Sequence, residues 1–130
     1  MINVRVIARV FSQILIVEGI FMLISGAVSW IYKEHAAYSF LYSALITLIT
    51  GILVFTPLRN TEKLYGTREG YIINICILLL FSAFGSLPFL FTSSVNNFSD
   101  AFFESISGFT TTGATIFRDV EALSHGILFW

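Results

Sequence analysis

Three apolar runs, residues 10–32, 36–58 and 70–91, limit what this chain can fold into more than any other feature. A helix rises about 1.5 Å per residue, so each run can cross a hydrocarbon core of about 30 Å. In 130 residues, three such spans leave no room for a soluble domain of useful size. Charged residues make up 12% of the chain and hydrophobic ones 56%, where soluble domains average about 25% charged. Run length and composition together place the chain in the membrane class.

The same numbers exclude other classes. A net charge of −1 supplies no basic field for nucleic acid. Cys76 is alone in an apolar run and can form no intrachain disulfide. Arg5 and Arg9 ahead of the first run imitate a signal peptide, but the run exceeds the roughly 7–15 residues of a signal's apolar region. It is read as a transmembrane helix. Inside it sits Glu18, an intramembrane carboxylate that is costly unless partnered or turned toward protein or water. Two roles are open to Glu18: a hydrogen bond that holds neighbouring helices together, or a direct part in ion traffic.

Lys33, Glu34 and His35 make a short turn into the second span, which ends near Pro57 because proline cannot continue a helical ladder. Residues 59–69 form an extended charged connection, with Thr67 as a candidate cap for the third span. Arg5, Arg9, Arg59, Lys63 and Arg68 fall on one side of the membrane, and Lys33 and Arg118 on the other. This asymmetry predicts a multi-pass plasma-membrane protein with a cytoplasmic N-terminus and second connection. The segment after the third span is then presented from outside.

There, Asn97 or Ser99 can cap a helix of about ten residues that stops near Gly108. At about 15 Å it is too short to span, which predicts a re-entrant helix surrounded by protein or water. The next residues, Thr110, Thr111, Thr112, Gly113, Ala114 and Thr115, are poor in charge and rich in hydroxyls and carbonyls. Such backbone is tolerated at membrane depth where it lines a pore, and a dehydrated cation needs those oxygens. Gly113 can take the positive φ that turns carbonyls to one side. The C-terminus of the short helix adds attraction for a cation of about 1 kcal/mol.

Several alternatives are weaker. Residues 108–115 have P-loop spacing, but Ala114 stands where lysine belongs and a helix, not a strand, precedes them. His35 and His125 lack partners at metal-ligand spacing. Asp100 and Glu104, one helical turn apart, could be a catalytic pair, but at a pore mouth they raise local cation concentration, as would Asp119 and Glu121. With no nucleophile–base pair, the chain is not expected to be an enzyme.

The stretch FFESISGFTTTGATIF, with upstream GTREGY and an apolar span containing FGSLPF, resembles the first pore unit of the Trk/Ktr/HKT superfamily of potassium transporters, in particular its bacterial pore subunits. The resemblance covers most of the chain. It implies an all-α integral membrane fold: three transmembrane helices followed by a re-entrant pore helix and filter loop. Residues 1–69 would be an N-terminal pair of helices with a cytoplasmic connection, and 70–130 the outer helix, pore helix and filter of a unit truncated before its inner helix. Thr111, Thr112, Gly113, Ala114 and Thr115 fall on the family's filter, which implies K⁺ or Na⁺ held by backbone carbonyls and no other cofactor. The family builds its pore from four such units, so the chain is expected to be the N-terminal part of a longer subunit in a bacterial inner membrane. Implied partners are membrane lipid, the remaining pore units, a second copy in a homodimer and a cytosolic nucleotide-binding regulatory subunit. The competing expectation is a small membrane interaction or assembly protein with no transport of its own.

Overall fold

The computed structural model describes residues 3–62 and 66–130. All regular structure among them is helical: α1 (Val4–Ile31), α2 (Ala36–Leu58), α3 (Thr67–Gly85), α4 (Leu87–Phe91), α5 (Phe98–Phe109) and α6 (His125–Phe129). Three helical stretches, Val4–Ile31, Ala36–Leu58 and Thr67–Phe91, are long and apolar enough to cross a membrane.

α1 and α2 form an antiparallel hairpin, the most extensive helix pair among the described residues. Ser12, Leu15, Gly19, Met22 and Ser29 are buried on α1, and Ala37, Phe40, Ala44, Thr47 and Gly51 on α2. Steps of three and four keep each set on one stripe of its helix. The backbones approach closely because the stripes carry small residues. A Cβ on Gly51 would lie 3.2 Å from the Ile16 amide nitrogen, and one on Gly19 2.6 Å from Leu48 Cγ. Buried hydroxyls turn back on their own helix: Ser43 donates to the Ser39 carbonyl at 2.8 Å and Thr47 to the Ser43 carbonyl at 2.9 Å. Leu45, Ile49, Ile52 and Leu53 face outward.

Three boundaries differ from the sequence expectation. α1 begins at Val4, because Arg5 and Arg9 extend the helix beyond its apolar part, and Arg9 Nη1 donates to the Thr61 carbonyl. Lys63, one of the residues in the charge asymmetry, lies outside the described residues. α3 is preceded by Gly66 as its cap, whose amide donates to Glu69 Oε2 at 2.8 Å, so Thr67 is already helical. The third span is not one helix: Ser86 separates α3 from α4. Pro88, near the start of α4, has no N–H to continue the ladder of α3.

α5 packs beside α3, and α6 returns to α1. Met22, Phe40, Ala44, Phe89, Val95, Ala101 and Ile127 form the core between the hairpin and the later elements. The α4–α5 connection and residues 110–124 therefore hang from a packed frame at both ends.

Candidate functional site

α5 runs for 12 residues, about 18 Å, and extends one residue past the expected stop at Gly108. Asn97 stands at its N-cap position, without a capping hydrogen bond from its side chain. Its last turn is finished by three amides: Thr110 N donates to the Ile106 carbonyl at 3.0 Å, Thr111 N to Gly108 at 3.1 Å and Thr112 N to Ser107 at 3.0 Å.

The chain then reverses through two residues of positive φ, Thr111 at 57° and Gly113 at 73°. Glycine enters that region freely, whereas a β-branched threonine pays about 1–3 kcal/mol. Local hydrogen bonds offset part of this cost. Thr110 Oγ1 and Thr112 Oγ1 are 2.8 Å apart, and Thr111 Oγ1 donates to the Thr110 carbonyl at 2.7 Å. The sequence pointed to Gly113 as the special backbone position and missed Thr111, whose residue type argues against it.

Two contacts tie the loop back to α5. Ser107 Oγ donates to the Ala114 carbonyl at 2.6 Å, taking one of that oxygen's two acceptor positions. Glu104 Oε1 accepts from Thr115 Oγ1 at 2.7 Å and from the Ile116 amide at 2.5 Å. Glu104 is thus engaged with the loop backbone, whereas Asp100 lies in the first turn of α5, at the end away from the loop. Asp119 and Glu121 are exposed beyond the loop. Among the described residues, no hydrogen bond reaches the carbonyls of Thr111, Thr112, Gly113 or Thr115, and residues 110–116 are exposed in the single chain. The loop thus presents four carbonyl acceptors without donors beside two, on Thr110 and Ala114, that accept one hydrogen bond each.

Glu18 lies elsewhere, on α1, fully buried at 0% exposure. The expected hydrogen bond to a neighbouring helix is absent among the described residues, where neither carboxyl oxygen has a partner. The carboxyl instead packs against the bare α-carbon of Gly85.

The far end of the loop is held by residues the sequence did not single out as a pair. Glu34 Oε1 accepts from the His125 amide at 3.0 Å and lies 2.7 Å from His125 Nδ1. The Tyr32 ring stacks on the His125 imidazole, with centroids 3.8 Å apart and planes within 3°. Desolvation pushes the Glu34 carboxyl up, but hydrogen bonds from His125 and Gly126 and the His125 charge outweigh it and hold the group below its ordinary value. Glu34 and His125 are 91 residues apart, so no local pattern announces them. No group of three potential metal-ligating side chains occurs among the described residues.

No protein-family model matches the chain. The Trk system potassium uptake protein TrkH of Escherichia coli K12 is 36% identical over 127 residues, covering 97% of this chain and 26% of that protein. TrkG of the same organism is 31% identical over 129 residues, covering 98% and 27%. The crystal structure of the potassium transporter TrkH from Vibrio parahaemolyticus superposes with a TM-score of 0.89 at 31% identity, over 97% of this chain and 27% of that one. The chain therefore spans about a quarter of the length of the relatives it matches. Sequence and fold together make it a homologue of the Trk potassium uptake proteins TrkH and TrkG.

Proposed function

We propose that the chain is the N-terminal, filter-bearing part of a Trk-type pore subunit that conducts K⁺ across a bacterial inner membrane. In this reading residues 1–69 are a leading helix pair, and residues 70–130 carry an outer helix, the pore helix α5 and its filter. Thr111, Thr112, Gly113, Ala114 and Thr115 supply the ligands, with carbonyl oxygens replacing the ion's hydration shell. The observation that carries the reading is the run of carbonyls without donors after a half-length helix. Such acceptors would be costly in hydrocarbon and are suited to a cation.

The roles divide by contact. Gly113 lets the backbone turn, Ser107 leaves Ala114 one free acceptor position, and Glu104 fixes the outer end of the loop. The C-terminal end of α5 contributes its partial negative charge. Asp100, Asp119 and Glu121 enrich cations at the mouth. A single unit cannot surround an ion, so the remaining ligands come from further pore units. A second copy and a cytosolic nucleotide-binding subunit complete the assembly, and the N-terminus is cytoplasmic. Transport needs no cofactor beyond the K⁺ or Na⁺ that is carried.

The test is Gly113→Ser in the complete transporter, expressed in cells deficient in K⁺ uptake. The K⁺ to Na⁺ uptake ratio should fall at normal membrane abundance. An unchanged ratio and flux at that abundance would refute the filter assignment.

A further inference from the structure

Gly85 is the point at which three separate parts of the molecule close on one α-carbon. A Cβ there would lie 2.8 Å from Phe109 Cε2, 2.9 Å from Phe109 Cζ and 2.9 Å from Glu18 Oε1. Carbon atoms in ordinary contact sit about 3.5–4.0 Å apart, so no side chain fits. The Gly85 carbonyl accepts a 3.0 Å hydrogen bond from Trp130 Nε1. The Trp130 ring meets Phe109 edge-on, with centroids 6.3 Å apart at 89°. Phe81, one turn earlier on α3, lies against the same Phe109 ring at 4.1 Å.

Phe109 is the last residue of α5, directly before the threonine loop. Where its ring rests therefore fixes where the loop begins. Packing alone does not account for Glu18 at this place, since an apolar side chain of similar length would fill the space without burying an unpartnered carboxyl. The carboxyl oxygen and the ring edge both lie beside the Cβ position that Gly85 leaves empty, and an aromatic edge carries the positive part of the ring's quadrupole. An acidic oxygen suits that edge, and a methyl group does not.

We infer that Glu18 and Gly85 are positioning residues for the loop: Gly85 leaves the space, Glu18 and the Phe109 ring edge border it from α1 and α5, and Phe109 passes its placement to Thr110 and the residues beyond it. Neither touches the ion. The inference rests on the reading of the loop as a cation filter.

The experiment measures the K⁺ to Na⁺ uptake ratio and membrane abundance of the complete transporter carrying Gly85→Ala, Glu18→Leu, and Gly85→Ala combined with Phe109→Leu. Gly85→Ala should lower the ratio about tenfold, because a misplacement near 1 Å is enough for such losses. Glu18→Leu should lower it in the same direction, and the double variant should regain abundance but not the ratio, since leucine frees the space the new methyl needs and leaves no ring to set where the loop begins. A normal ratio in both single variants at normal abundance would overturn the seat. So would recovery of abundance in the double variant from a single variant whose ratio never changed, because that is packing alone. Gly113→Ser separates the two ideas. If it shifts the ratio and Gly85→Ala does not, the seat fails and the filter stands; if neither does, the filter reading fails as well.

Discussion

The α1–α2 hairpin and the α5 loop use the same kinds of residue to opposite ends. Both are rich in Ser, Thr and Gly. In the hairpin, Ser43 and Thr47 donate to carbonyls of their own helix, and Gly19 and Gly51 vanish under a neighbouring helix. In the loop, hydroxyls and a carboxylate hold the backbone in place while a run of carbonyls is left without donors, and a Cβ on Gly113 would meet nothing within 4 Å. Polar residues in a membrane chain therefore do not by themselves mark a site. The distinguishing property is whether the acceptors they leave are already used.

The sharpest way to break that contrast is to place a side chain on one glycine from each region. Gly113→Ser meets open space but forces a positive φ on a residue that resists it. It should cost about 100-fold in the K⁺ to Na⁺ uptake ratio with little effect on abundance, in line with misplaced ligands. Gly51→Val should do the reverse. Its new atoms meet the Ile16 backbone and should destabilise the hairpin by about 2 kcal/mol. Thermal unfolding in detergent would show this, while the ratio of the surviving protein stays unchanged.

Glu104→Ala probes the loop from behind. It removes the acceptor for Thr115 and Ile116 and should lower the ratio at least about tenfold, since two charged hydrogen bonds are lost. Wild-type selectivity in this variant would mean that the loop holds its shape without the clamp.

The smallest effect concerns Glu34. Its carboxyl is held below its ordinary value in the folded chain, so the carboxylate is favoured by folding. The stability it contributes is present above the unfolded value, 4.5, and is lost as pH falls through the lower folded value. Amide exchange at His125 should therefore rise relative to core amides below pH 4.5, and Glu34→Gln should flatten that dependence.

Much of the frame was legible because hydropathy and length are local properties. Residues 36–58 coincide with α2, whose ends are set by the Lys33, Glu34, His35 turn and by Pro57. The short helix before the threonines followed from its length, and the positive φ of Gly113 from its residue type. The rest depends on contacts distant in sequence. Nothing local tells that Glu104 will meet Thr115 rather than water, because the reversal at Thr111 brings them together. The break at Ser86 was masked by continuous apolarity although Pro88 is a local signal for it, and nothing local told that Glu18 would be buried without a partner.

The bond from Arg9 to the Thr61 carbonyl carries a consequence at the scale of the bilayer. α1 has 28 residues and α2 has 23, about 42 Å and 35 Å of helix against a hydrocarbon thickness of about 30 Å. The excess of α1 over that thickness includes its charged first turns, which the Arg9 bond ties to the chain just after α2. A change of tilt in a bilayer of different thickness would move the two helices together, since the opposite end of the hairpin is the short Lys33, Glu34, His35 turn, where Glu34 holds His125.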